Sequence, residues 1–415
     1  MPNNFTLGVN YWPRRKAMYW WSNFDAAEVD DDFALIQSLG LNVARIFLLW
    51  DDFQPEPTSV DQTALAHLVK VADLAEKHKI GLDVTFFTGH MSGPNWAPRW
   101  LIQEREGYPS PYFGWVRQVV SQGKIVPNGN YRNMFTDSVA LQAERLLLKT
   151  VVGALKGHPG VWLWNLGNEP DLFAWPENAA QGRAWVREMT GIIKAIDPTT
   201  PVTVGLHSAD LESDTGLRVH DVFAETDMAV MHAYPMYTEW ARGPLDPDHV
   251  PFMTALTAHF AGKPALMEEF GGCTNLRGHP SETWEWQAYG LDRTQFMASE
   301  DDFAEYIRQV LPNIHAVGAT GAMIWCFADY AEELWNVPPC GESRHERHFG
   351  LVRPDGSLKP HAEVIKQFAA TNPKVQPIPD YAKFPGLDGD EFYGNRMYEE
   401  LGTLYQVYLA RKAAG

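Results

Sequence analysis

The sequence predicts an α/β fold, a single (β/α)8 barrel with long loops at its C-terminal face. Three observations carry this. Eight short apolar runs recur along the chain, amphipathic helical stretches separate them, and polar and aromatic residues gather at their C-terminal ends. Apolar residues fall on both parities within each run, the pattern of strands covered on both faces in a parallel sheet.

The runs, in order, are FTLGVNYW (5–12), NVARIFLLW (42–50), GLDVTFF (81–87), GVWLWNLGN (160–168), PVTVGLH (201–207), MAVMHAY (228–234), PALMEEFG (264–271) and GAMIWCFAD (321–329). Between them, residues 30–39 read as a helix stopped by Gly40, and residues 61–79 as one stopped before Gly81. An open dinucleotide-binding sheet would show a glycine fingerprint after its first strand, and none follows GVNYW. Functional residues spread over many strand ends favour the closed barrel: Arg45, His90, Asn168 with Glu169, His207, His232 with Tyr234, Glu269 and Trp325.

Two insertions follow strand ends and are expected to wall a pocket. Residues 91–133 carry Trp96, Trp100 and Trp115, and residues 271–299 carry Trp284 and Trp286. The barrel is assigned to residues 1–375. Residues 376–415 read as a Pro-rich connector and a C-terminal helix packed on the barrel.

A net charge of −18 disfavours nucleic acid and anionic membranes as partners. Sixteen Trp, 15 Tyr and 21 Phe offer platforms for sugar rings as well as core. The N-terminus shows no apolar run behind a basic start, so cytoplasmic residence is expected. Cys273, Cys326 and Cys340 read as buried apolar residues. His345 and His348, with Glu342 and Glu346, read as a solvated polar loop rather than a metal site; no cofactor or metal is expected. The terminal helix and exposed aromatics offer a surface for a homodimer, though the oligomeric state is not legible.

An acidic residue ending an apolar strand costs desolvation unless it is paired or functional. Glu169 ends the fourth run and Glu269 the seventh, and in a closed barrel those ends face each other across the mouth. Two carboxyls about 5 Å apart suit glycosidic-bond cleavage with retention of configuration.

With Asn-Glu-Pro at the fourth strand and Glu-Phe-Gly at the seventh, residues 5–368 resemble the retaining barrel glycoside hydrolases, and within them family five. The resemblance implies Glu169 as acid/base and Glu269 as nucleophile. It places Asn168 on the sugar 2-hydroxyl, Arg45 and Tyr234 on the nucleophile, His90 and His232 in the pocket, and Trp325 beneath the reacting sugar. The residue before the nucleophile is usually small in that family, whereas here it is Glu268. Strand alternation predicts that only one of the two faces the pocket, and the assignment goes to Glu269, which precedes Phe-Gly. The Tyr-Trp-Pro-Arg-Arg start and the loop plan resemble bacterial exo-β-mannosidases, implying removal of terminal β-linked mannose from short manno-oligosaccharides or N-glycan core fragments. Endo-β-mannanase and β-glucosidase activities are the alternatives on this scaffold. A non-catalytic carbohydrate-binding protein is the alternative from another class.

Overall fold

The computed structural model describes residues 4–103, 118–126, 130–288 and 290–414. Trp115 lies outside them. Each apolar run gives one parallel strand: β1 (Thr6–Asn10), β2 (Val43–Leu49), β3 (Gly81–Thr88), β4 (Val161–Asn168), β5 (Val202–Gly205), β6 (Ala229–His232), β7 (Ala265–Gly271) and β8 (Gly321–Trp325). They pair in the order β5-β4-β3-β2-β1-β8-β7-β6. A His207–His232 bridge and the bond from Ser208 N–H to the His232 carbonyl (3.0 Å) join β6 back to β5, closing the ring.

One helix follows each strand: α1 (Ala26–Ser38), α2 (Gln62–Lys77), α3 (Ser138–Leu155), α4 (Ala179–Ile196), α5 (Val219–Ala224), α6 (His249–Ala261), α7 (Glu300–Ala316) and α8 (Pro360–Ala370). Their starts are set by caps. Asp25, Asp61 and Asp137 each accept two backbone N–H bonds from the first turn. The Asp25 cap explains why α1 begins at Ala26, four residues before the start expected from its apolar spacing. The helices lay Leu, Val, Ile and Phe against the outer faces of the strands, so both faces of the sheet are dry.

Beyond α8, the last helix α9 (Met397–Ala414) buries Leu401, Tyr405 and Tyr408. Phe252 of α6 meets the Tyr405 ring at 5.2 Å, and the Tyr405 hydroxyl donates to Asp246 (2.5 Å). The 271–299 insertion forms an antiparallel hairpin, Glu282–Ala288 against Leu291–Met297, standing beside the barrel mouth. All three cysteines are buried thiols. No helix among the described residues is long and apolar enough to cross a membrane.

Candidate active site

The site begins with an irregularity in β7. Pairing with β8 runs Met267 to Ala322 and then Phe270 to Ile324, so β7 advances three residues (270 − 267) while β8 advances two (324 − 322). This is a bulge, and strand alternation breaks there. Glu268 and Glu269 therefore both turn inward, where strict alternation would send them to opposite faces, yet only Glu269 reaches the cavity, as expected. Glu268 is fully buried below, and Glu269 looks into the mouth. Gly205 of β5 makes room for this: a Cβ there would come within 2.8 Å of an Arg45 nitrogen and 3.1 Å of a Glu268 oxygen.

Arg45 is the hub of the buried layer. It lies near the start of β2 rather than at its end as expected, and its long side chain climbs the barrel axis. Its Nη1 donates to Glu269 Oε2 (3.1 Å) and Asn10 Oδ1 (3.2 Å), Nη2 to Asn168 Oδ1 (3.0 Å) and Nε to Thr85 Oγ1 (3.0 Å). Glu268 Oε2 sits 3.5 Å from Nη2, and Asp83 3.9 Å from Nε. One cation thus meets three carboxyls. Burial and the neighbouring Glu268 push Asp83 well above the usual carboxylate range. For Glu268, burial is outweighed by Arg45 and His232, which hold it below that range.

His232 ends β6 between three carboxylates. Its Nε2 lies 2.9 Å from Glu268 Oε2, and its Nδ1 lies 3.0 Å from Glu169 Oε1 and 3.7 Å from Glu269 Oε2. Burial would depress its pKa, but Glu269, Glu169 and Glu268 outweigh that and the opposing Arg45, raising it to about 9.

Glu169 and Glu269 approach each other from opposite sides of the mouth. One carboxylate oxygen of each, with a His232 nitrogen, lies within a 4.8 Å group. Glu269 accepts from Arg45 and from the Tyr234 hydroxyl (2.7 Å). Glu169 sits in the left-handed region at φ 47°, a conformation uncommon for a non-glycine residue and frequent at functional sites. Burial raises its pKa, but His207, His232 and His90 overcome that and hold the carboxyl well below its usual value. Glu269 is pushed up by burial and by Glu169, against His232, Arg45 and Tyr234.

The remaining expected residues join the same cavity, of about 620 Å³. Asn168 donates to the His90 carbonyl (3.1 Å), and the His90 ring bonds Asn95 (2.9 Å). Trp325 lines the cavity, with its ring edge-on to Phe47. All eight expected residues thus converge: Glu169, Glu269, His90, Asn168, His232, Tyr234 and Trp325 line the cavity, and Arg45 lies beneath it.

Sequence reasoning left several cavity residues unassigned. His207, read only as a strand-end residue, lies 4.0 Å from Glu169 and 2.9 Å from the buried Asp171. The loop bearing His345 is not solvated, as expected, but forms cavity wall: Glu342, Ser343, His345 and Glu346 line it, and Glu346 and His348 are buried. The reason is the hairpin, whose Trp286 donates to the Glu342 carbonyl (2.7 Å) and covers His345. Ser92 and Arg293 also line the cavity, and nothing in their local sequence signals it.

Residues 115–372, more than half of the chain, match the family model "Glycosyl hydrolases family 2, TIM barrel domain". Over 322 residues the chain is 25% identical to mannan endo-1,4-beta-mannosidase A of Hypocrea jecorina, covering 69% of this chain and 66% of that one. The exo-beta-1,4-mannosidase Op5Man5 of Opitutaceae bacterium strain TAV5 superposes with a TM-score of 0.71 at 25% identity, over 89% of this chain and 60% of its own. The chain thus spans less than two thirds of the length of these two relatives, 66% of one and 60% of the other. A GH5_18 structure from Streptomyces cattleya, in complex with Manb1-4GlcNAc, superposes with a TM-score of 0.74 at 18% identity over 97% and 92% of the two chains. The chain belongs to the glycosyl hydrolase TIM-barrel family that the family 2 model describes, and among barrels of that type it resembles the family-five mannosidases.

Proposed function

We propose that this protein is a retaining exo-β-mannosidase that releases terminal β-linked mannose from short manno-oligosaccharides or N-glycan core fragments. The observation that carries the reading is the approach of Glu169 and Glu269 to within 4.8 Å of each other at their nearest grouped oxygens, the spacing class of double displacement rather than of inversion through an interposed water. Glu269, aimed by Arg45 and Tyr234, attacks the anomeric carbon while Glu169 protonates the departing oxygen. Glu169 then takes a proton from water, which attacks the same carbon and frees Glu269.

The resting site favours an ionised Glu169, so the acid role needs a proton delivered to it. Among Glu169, His232 and Glu269 the proton belongs to the cluster. A bound sugar that expels water raises the cost of charge on Glu169 and favours its neutral form.

Exo action is supported by the wall that the hairpin and the 342–346 loop build beside Trp325. The Opitutaceae protein, an exo-beta-1,4-mannosidase, and the Streptomyces protein, in complex with Manb1-4GlcNAc, agree with mannose. The test is hydrolysis of 4-nitrophenyl β-mannoside and β-glucoside, with NMR of the first-formed anomer, and product analysis on manno-oligosaccharides. Faster release from the mannoside, β-mannose formed first and single terminal residues released are expected. A glucoside preference, an α-product or internal cleavage would each overturn the corresponding part.

A further inference from the structure

A buried polar group without a partner carries a desolvation cost, and in a native protein it calls for a reason. Three such atoms lie in the cavity wall: Ser92 Oγ, His345 Nδ1 and Glu346 Oε2 have no partner at ordinary hydrogen-bond length, although Ser92 and Trp325 stand close enough to Glu346 to favour its charged form. Ser92 follows β3 and the other two follow β8, so separate loops bring them together. Ser92 and Trp325 lie beside the Glu346 carboxyl, and His345 Nε2 is 3.5 Å from Glu346 Oε1. Glu346 is only 9% exposed, yet it lines the cavity. None of the three contacts Glu169 or Glu269 directly.

A pyranose whose C1 lies at the carboxylate pair directs its 3- and 4-hydroxyls to the opposite end of the ring. Trp325 lines the cavity beside the Glu346 carboxyl, so a ring resting on its indole with C1 at the carboxylate pair can turn that end toward this wall. We infer that Glu346, with Ser92 and His345, forms a hydroxyl-binding cradle that reads the free 3- and 4-hydroxyls of a terminal hexopyranoside, making Glu346 a specificity-determining residue. This rests on the proposed exo reading and sharpens it. A sugar continued at O4 would place its next residue against the cradle. A sugar ending there supplies hydroxyls that both donate to Glu346 and accept from Ser92. Burial, with Glu269 and Glu169 nearby, pushes Glu346 to about 8 despite Ser92 and Trp325, so its protonated form can also donate.

The test compares the 4-nitrophenyl β-glycoside of the preferred sugar with its 3-deoxy and 4-deoxy analogues on the unaltered protein, Glu346→Ala and Ser92→Ala. For the unaltered protein, losing the contacted hydroxyl is expected to lower kcat/KM about tenfold or more. Glu346→Ala is expected to lower kcat/KM on the parent by a similar factor and to show no further loss on the deoxy analogue. Ser92→Ala should show the same pattern more weakly. Equal losses on parent and both analogues, or no loss at all, would overturn the cradle. Tryptophan fluorescence titration with the free sugar and its deoxy forms reads the same discrimination without turnover. An unaltered protein that binds with the predicted discrimination but does not cleave would sink the glycosidase reading alone, and one that binds no sugar would sink both.

Discussion

Glu169 and Glu269 stand at the ends of strands on opposite sides of one mouth, and their surroundings differ in kind. Glu169 is flanked by imidazoles, His232 at 3.0 Å and His207 at 4.0 Å. Glu269 is held by a guanidinium and a phenol, at 3.1 and 2.7 Å, with His232 farther off at 3.7 Å. The two imidazoles, raised by their carboxylate neighbours to about 9 and about 10, still give up a proton more readily than Arg45 or Tyr234, whose surroundings raise them further from already higher ordinary values. A carboxylate among proton-exchanging groups suits a role in which its own proton comes and goes. One clamped by fixed donors suits attack.

The largest effect separates the two directly. Ala at either position should lower turnover by about a thousandfold or more, and azide should restore part of it with opposite stereochemistry. In Glu169→Ala the azide displaces the glycosyl-enzyme and gives the β-glycosyl azide. In Glu269→Ala it enters from the vacated side and gives the α-azide. NMR of the products checks this, and exchanged configurations would reverse the two roles.

Next comes the Arg45 clamp. Arg45→Met leaves Glu268 and Glu269 buried without their cation and should cost about 3–5 kcal/mol of stability, read by urea unfolding, along with most activity. An unchanged midpoint would mean the carboxyls are neutral in the folded chain. Tyr234→Phe should be milder, losing about 1.5–3 kcal/mol of stabilisation of a charged acceptor. It should appear as a tenfold or greater fall in kcat with an unaltered melting temperature.

The smallest effect lies on the imidazole side. Burial would lower the His207 pKa, but Asp171 and Glu169 raise it from 6.5 to about 10. A raised folded-state pKa contributes stability that is complete below 6.5 and lost as pH climbs through about 10. Asp171→Asn should therefore flatten the decline of thermal stability across that window. An equally steep decline in the variant would remove the His207–Asp171 pair as its cause.

The sequence disclosed the parts of this site that belong to the barrel's repeat. Seven of the eight strands lie within the apolar runs and β3 passes the end of its run by one residue, because two-sided burial leaves a plain compositional mark. Glu169, Tyr234, Glu269 and Trp325 could be placed because they end or follow such runs. The inward turn of Glu268 was not legible because a bulge is set by tertiary packing around Gly205 and Arg45, which no local period encodes. The Glu346 wall was missed for a related reason. The loop is polar when read alone, and it becomes interior only when Trp286, some 60 residues earlier, closes over it.

The β7 bulge also bears on how this protein can change over generations. By turning Glu268 inward against Arg45, His232 and Asp83, with Gly205 left bare to admit them, it ties five positions from five strands into one inherited unit. A lineage that swaps one member strands a charge or creates a clash at the others. These positions should therefore drift together, while the hairpin and the 342–346 loop, which line the cavity but stand apart from this knot, remain free to diversify.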